Sequence, residues 1–146
     1  MLPVVVPDMG DERRTGQAQP VGLLVGRKLE YVRLGHAVVL SFTGDFEVLI
    51  ETVAHLDGPN GHADVEPGDN PSDVLATLLG DDVRAASVRA TGELELTFGR
   101  GSQLVVGVDA EVEAWALAGP DGVLMVCLAR GELAVWGDAS PPNPIE

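Results

Sequence analysis

The chain has 146 residues, of which 45% are hydrophobic, 22% are charged and 4% are aromatic. This length and composition exclude a disordered protein and favour a single domain with a mainly aliphatic core. The 23 acidic and 9 basic side chains give a net charge of −14, which disfavours nucleic acids and anionic membranes as partners and leaves basic proteins or divalent cations. The favoured interpretation is that this charge keeps the protein soluble, and a basic partner is the alternative.

The first twenty residues predict a flexible amino-terminal extension (1–20). Residues 7–20 are polar, contain Gly and Pro, and show no apolar period. The start of the chain lacks the basic region and apolar run of a secretion signal, and the uncharged runs elsewhere are too short to cross a bilayer. Cys127 is the only cysteine, which excludes an internal disulfide. We therefore expect a cytoplasmic protein.

From residue 21 to residue 137 the apolar side chains repeat every second residue, as in strands with one wet face. Two runs show this alternation clearly: Phe46, Val48 and Ile50, and Leu94, Leu96 and Phe98. Turns rich in Gly separate such runs and suit tight connections between antiparallel strands. We predict one α+β, mostly β domain (21–137) of antiparallel meanders with about eight strands.

The segment 70–80 predicts the one short helix, packed on the sheet. Asn70 suits the N-cap, Pro71 the first helical position, and Gly80 the left-handed residue after a helix. Four apolar residues fall on one helical face: Val74, Leu75, Leu78 and Leu79. We expect two to three turns.

Two segments of the body resemble each other. Residues 40–45, LSFTGD, are similar to residues 96–101, LTFGRG, and the Gly-initiated segment 26–29 is similar to 80–83. One hypothesis is an internal duplication that gives two three-stranded meanders. The other is a pair of unrelated hairpins with the same turn chemistry.

The stretch 55–66 contains the pattern H-x-D twice, at His55/Asp57 and at His62/Asp64. A hairpin that brought both pairs onto one face would offer imidazole and carboxylate ligands to a divalent metal. However, residues 59–61 have the composition of an ordinary turn, and His62 and Asp64 alternate with apolar residues as in an exposed strand. We predict a solvated strand pair with no metal and no cofactor, and the metal site is the alternative.

Enzyme signatures such as G-x-S-x-G, H-E-x-x-H and C-x-x-C do not occur in the sequence. Cys127 lies among aliphatic residues, which is typical of an inert core thiol. The carboxylates Glu93 and Glu95 occupy alternate positions of a strand and indicate a solvated face. We predict no catalytic residues and no enzyme, with Cys127 beside a His, or a metal at the H-x-D pairs, as the alternative.

Two tryptophans mark the last third of the body. Trp115 is in phase with Leu117 and is expected in the core, whereas Trp136 is out of phase with the apolar residues of its strand and is expected on the wetter face. Tryptophan is frequent at binding hot spots, although it also covers open sheet ends. The candidate interaction residues are Trp136, Glu132, Glu93 and Glu95. Residues 138–146 predict a flexible Pro-rich tail.

The motifs E-A-W at 113–115, G-P-x-G at 119–122 and G-E-L-A-V-W at 131–136 resemble a family of small actinobacterial proteins of unknown function. The hairpin VVLSFTGDFEVLIE at 38–51 and the L-L-G that ends the helix are similar to that family as well. The resemblance covers 21–137 and implies a bacterial cytoplasmic domain without catalytic residues to transfer. The sequence departs from the family at 128–131, where a Pro-Gly turn is expected.

Three functional hypotheses follow. The favoured one is a non-enzymatic protein-interaction domain, such as an immunity-like inhibitor or a scaffold, that binds a basic protein partner; a homo-oligomer through an edge strand is compatible with it. The second is a small-ligand-binding domain with a pocket between the sheet and the helix face of Leu75, Leu78 and Leu79. The third is the enzyme described above.

Overall fold

The computed structural model describes residues 4–6, 20–59, 61–69 and 72–136, which form two antiparallel sheets around one hydrophobic core. The strands are β1 (Val4–Val6), β2 (Leu29–Leu34), β3 (Val38–Phe42), β4 (Phe46–Ile50), β5 (Ala54–Gly58), β6 (Gly61–Val65), β7 (Val83–Val88), β8 (Leu94–Phe98), β9 (Gln103–Val106), β10 (Trp115–Ala118), β11 (Leu124–Cys127) and β12 (Leu133–Trp136). The seven-stranded sheet has the order β1-β12-β11-β10-β4-β3-β2, and the five-stranded sheet has the order β6-β5-β9-β8-β7.

The α+β, mostly β antiparallel fold is therefore confirmed. The strands are more numerous than the eight or so expected, because β1, β10, β11 and β12 have only three or four residues each. Segments of that length are too short to show a period of two in the sequence.

The core is built from alternate residues of both sheets. The predicted inward residues of β4 and β8 are all buried: Phe46, Val48, Ile50, Leu94, Leu96 and Phe98. Trp115 and Leu117 of β10 are buried as well, which confirms the expected core position of Trp115. Burial of these aliphatic and aromatic side chains is the main force that holds the two sheets together.

Among the residues that the structure describes there is one α-helix, α1 (Ser72–Ala76), and it is shorter than expected. Residues 77–79 continue it as a tighter turn, since their N–H groups bond carbonyls three residues earlier. Gly80 follows with φ of 81°, the left-handed conformation predicted for it. The expected cap residues Asn70 and Pro71 lie outside the described residues.

The structure repeats one topology. The meanders β2-β3-β4 and β7-β8-β9 each have a register shift near the start of the first strand, after Leu29 and after Val83. Reciprocal backbone bonds join them: Gly26 N–H donates to the carbonyl of Val83 at 2.8 Å, and Gly80 N–H donates to that of Leu29 at 2.8 Å. These matched contacts favour the internal duplication over two unrelated hairpins.

After each meander the next strand crosses to the other sheet. The strand β5 pairs with β9, and β10 pairs with β4. The hairpins β5-β6 and β10-β11 therefore occupy equivalent positions in opposite sheets. The five-stranded sheet ends at β6, whereas the seven-stranded sheet continues from β11 through β12 to β1.

The strand β1 corrects the expected boundary of the amino-terminal extension. Val4, Val5 and Val6 pair with Val135, Ala134 and Leu133 of β12, so residues 4–6 belong to the sheet. A run of three β-branched residues suits a strand, but it was too short to identify beside the polar segment that follows. Residues 7–19 and 138–146 lie outside the described residues.

Candidate functional site

The outer faces of the two sheets differ in chemistry. Across the five-stranded sheet, one row of neighbouring outward residues consists of Asp64, His55, Val105, Glu95 and Ser87. The equivalent row across the seven-stranded sheet consists of Val126, Ala116, Leu49, Val39 and the exposed Arg33, and it continues through Val126 to Ala134 of β12. Its apolar members, Ala134, Val126, Ala116, Leu49 and Val39, are called the apolar row below; of these, Ala134, Val126 and Val39 are buried. One face is therefore polar and the other is mainly apolar.

The β5-β6 hairpin brings the two H-x-D pairs together. Its register places His55 opposite Asp64, and Asp57 opposite His62. The Nδ1 atom of His55 and the Nε2 atom of His62 each lie 2.8 Å from Oδ1 of Asp64, and Nδ1 of His62 lies 2.7 Å from Oδ1 of Asp57. The two imidazole rings stack with centroids 5.9 Å apart. These four residues are called the His–Asp cluster.

The His–Asp cluster is exposed, with side-chain accessibilities between 45% and 61%. Hydrogen bonds that His62 donates to the carboxylates of Asp57 and Asp64 raise the pKa of His62, and the bonds that Asp64 accepts from His55 and His62 lower the pKa of Asp64. The cluster thus stabilises positive charge. Its exposure agrees with the solvated strand pair expected from the sequence, whereas the convergence of its ligand atoms is the geometry that the metal alternative requires.

A second candidate is a groove of about 190 Å³ at the β2-β3-β4 end of the seven-stranded sheet. Its polar lining consists of Glu30, Tyr31, Ser41, Asp45 and Glu47. Tyr31 is 52% exposed, and Oγ of Ser41 donates to Oε2 of Glu47 at 3.5 Å. We call Glu30, Tyr31, Asp45 and Glu47 the acidic groove.

The acidic groove was not predicted from the sequence, because a register shift changes the phase of β2. A continuous alternation that begins at the buried residue Leu29 would turn Tyr31 toward the core. The shift between Leu29 and Tyr31 turns the phenol outward instead, opposite Ser41 of β3. The similarity of 26–29 to 80–83, where β7 has the same shift, was the signal for it.

The predicted interaction residues do not form one surface. Trp136 is half-buried on the outer face of the seven-stranded sheet, as its phase predicted. Glu95 lies on the outer face of the other sheet, where Nε of Arg89 donates to its carboxylate at 3.1 Å. Glu93 and Glu132 follow two turns that touch each other at their glycines. Trp136 therefore shares a sheet face with the acidic groove, and Glu95 does not.

Cys127 is buried, and burial raises the pKa of its thiol to about 11. Its Sγ lies 3.5 Å from the carbonyl oxygen of Gly92, which also accepts a hydrogen bond of 3.0 Å from Nε1 of Trp115. A thiol of this kind is a poor nucleophile at neutral pH. The environment matches that expected for an inert core cysteine.

The helix face proposed for a ligand pocket is mostly filled. Leu75 and Leu78 are fully buried members of the core, so little space remains between them and the sheets. Leu79 is 40% exposed and borders a groove of about 250 Å³ beside β2, lined also by Val32 and Leu34. A second groove, of about 260 Å³, lies between the β5-β6 hairpin and residues Asp73, Val74 and Thr77 of the helical segment. The ligand-binding hypothesis stays a prediction, and these two grooves are the places that it would use.

Residues 21–137 match the model of a family described as a family of unknown function, DUF6188. The match spans most of the chain, and the chain belongs to this family. No curated protein and no solved structure matches the chain. Among the described residues, the helices are all too short to cross a membrane. The uncharacterised domain family expected from the resemblance is thus confirmed.

Proposed function

We propose that this chain is a non-enzymatic protein-interaction domain that binds a basic segment of another protein on the outer face of the seven-stranded sheet. The observation that carries the proposal is the acidic groove beside the apolar row on that face. Protein interfaces commonly combine an apolar centre with a charged rim. Both parts are present here within a few strands of each other.

The acidic groove suits a lysine or arginine side chain. Glu30, Asp45 and Glu47 place three carboxylates around it, and Tyr31 adds an exposed aromatic ring. Charge-assisted hydrogen bonds to carboxylates are stronger than neutral ones, and an aromatic face attracts a cation. The net charge of −14 supports the same partner, because a field of that sign speeds the approach of a basic protein.

The rest of the face supplies apolar contact. Leu49 and Ala116 are half-buried in the apolar row, next to the groove. Trp136 lies in the row that runs through Glu47 and Ser41 to Tyr31. Six strands at about 4.8 Å spacing put the two aromatic residues roughly 24 Å apart. A short basic and apolar segment of a partner, as in an immunity-like inhibitor bound to a basic protein or in a scaffold, would span that distance.

The proposal includes the compartment and the source. The lone reduced and buried Cys127 suits a reducing cytoplasm, and the quoted carboxyl-terminal motifs support an actinobacterial origin. The compartment is inferred from composition and the source from resemblance. The proposed binding of a basic partner does not depend on either.

The test is selection from a random 12-residue peptide library against the full chain at low ionic strength. We expect enrichment of peptides that carry Lys or Arg beside apolar residues. Their binding should weaken in Glu47→Gln and Tyr31→Ala, and also when salt is raised, since screening shortens the range of the charges.

The matched control is Glu66→Gln, which removes the same charge from an exposed position that follows β6 of the other sheet. It should bind the selected peptides as the wild type does. Equal weakening by Glu66→Gln and Glu47→Gln would show attraction to net charge alone. Enrichment of peptides without basic residues would refute the proposed partner.

A further inference from the structure

We propose that the His–Asp cluster is a binding site for a first-row transition-metal dication of the Zn²⁺ class. The ligands are Nδ1 of His55, Nε2 of His62 and the carboxylate of Asp64, and Asp57 orients His62. The site lies on the five-stranded sheet, so it is independent of the peptide-binding face proposed above.

The ligand atoms already converge. One ligand atom from each of His55, His62 and Asp64 lies within 4.8 Å of the other two. In a tetrahedral zinc site, bonds of about 2.0–2.1 Å put ligand atoms roughly 3.3 Å apart. Each of the two nitrogen–oxygen distances of 2.8 Å would open by about half an ångström, and the two ligand nitrogens, which lie within 4.8 Å of each other, would move to a similar separation. These side chains are about half exposed, so they have room to rotate toward an ion.

Asp57 supplies the outer partner that metal-binding imidazoles usually have. Its Oδ1 lies 2.7 Å from Nδ1 of His62, so it accepts the proton on that nitrogen and leaves Nε2 to face Asp64. A carboxylate in this position fixes the ring and its tautomer. The hairpin register sets this arrangement through its opposed pair Asp57 and His62.

An edge strand needs polar side chains in any case, because they oppose pairing with another chain. The strand β6 is such an edge. Any charged residues on β6 would oppose such pairing, however. Protection of the edge does not require imidazoles from two strands to face one carboxylate oxygen. Ion pairs of His55 and His62 with Asp64 stabilise the hairpin by themselves. The convergence of two imidazoles and a carboxylate is also the arrangement that a metal site requires, and the proposal rests on it.

The donor set defines the class of ion. Two imidazoles and one carboxylate suit Zn²⁺, Co²⁺, Ni²⁺ or Cu²⁺, whereas Mg²⁺ and Ca²⁺ prefer oxygen ligands alone. Three protein ligands with about half of their surface exposed leave the fourth position of a zinc ion to water.

The test is calorimetric titration of the metal-free full chain with Zn²⁺, with Mg²⁺ as the comparison ion. We expect one Zn²⁺ per chain and no measurable Mg²⁺ binding. His55→Gln and His62→Gln should lose binding at concentrations that saturate the wild type. Asp57→Asn should weaken it tenfold to a hundredfold, the usual effect of losing an outer partner.

The matched control is His36→Gln, in the turn between β2 and β3 of the other sheet; it should leave the titration unchanged. The visible spectrum of bound Co²⁺ gives a second readout and should be lost in His62→Gln. Wild-type protein without a single saturable Zn²⁺ site would overturn the proposal. So would a His36→Gln variant that loses as much affinity as His62→Gln, or ligand variants that keep wild-type affinity and an intact circular dichroism spectrum.

Discussion

The substitution Gly131→Ala tests whether two turns from opposite sheets need glycine where they touch. Gly131 has φ of 87°, and a Cβ atom there would lie 2.2 Å from the carbonyl oxygen of Thr91. That oxygen belongs to the backbone of the β7-β8 turn, so the clash cannot be relieved by rotating a side chain. We expect the two turns to be forced apart.

The magnitude has two parts. A left-handed conformation costs a residue other than glycine roughly 1–2 kcal/mol, and overpacking typically costs about 1–3 kcal/mol more. The free energy of unfolding should therefore fall by about 2–5 kcal/mol. Gly122→Ala is the matched control, because Gly122 has φ of 79° and nothing within 4 Å of an added Cβ; it should show the first part alone.

Urea denaturation of wild type and both variants measures the effect as a shift in midpoint at unchanged m-value. Gly131→Ala should unfold at clearly lower urea than Gly122→Ala. If the two variants lose the same free energy, the contact between the turns contributes nothing. The proposed role of Gly131 would then be wrong.

The remaining predictions concern three buried polar groups: the indole of Trp115, the thiol of Cys127 and the carboxylate of Asp81. Trp115→Phe removes the donor to the Gly92 carbonyl and should lower the free energy of unfolding by about 1–3 kcal/mol, since that buried acceptor loses a partner. Cys127 should resist a disulfide reagent at pH 8 in the folded protein and react in urea, because its folded pKa is about 11. The unfolded thiol loses its proton first as pH rises from 9, so stability should fall between pH 9 and 11, and this slope should vanish in Cys127→Ala. Asp81→Ala removes a buried carboxylate that accepts from two backbone N–H groups, one of them that of Arg100, and should cost about 1–3 kcal/mol in thermal or urea unfolding.

Local patterns in the sequence predicted the strands that are long enough to alternate. The strand β8 is an example, because only one orientation of it buries all three of its alternate apolar residues, Leu94, Leu96 and Phe98. The same logic fails for β1, whose three residues carry no phase, and for the crossing of β5 and β10 between sheets. Such crossings depend on contacts between segments far apart in the chain, which local periodicity does not contain.

The two candidate sites differed in how far the sequence could reveal them. The His–Asp cluster could in principle be predicted, because the turn composition of the sequence at 59–61 favours a hairpin. The hairpin pairing of β5 and β6 places His55 opposite Asp64 and Asp57 opposite His62. The sequence predicted a solvated strand pair there, and convergence of both H-x-D pairs on one face was the alternative; the opposed pairs themselves were not predicted. The acidic groove was harder to predict from the sequence, because the outward position of Tyr31 depends on a register shift.

The repeated topology gives both surfaces a common origin in the backbone. The opposed pair His55 and Asp64 of β5-β6 corresponds to Ala116 and Val126 of β10-β11, as the equivalent pairing of these hairpins shows. The same outward position thus carries a polar pair in one sheet and an apolar pair in the other. The repeated backbone therefore accepts either polar or apolar side chains at this position. Part of the difference follows from position, since β6 is an edge and β11 is flanked by β12. Position explains why one face is polar, but it does not explain why its imidazoles converge on one carboxylate oxygen. That convergence is the geometry on which the proposed metal site rests.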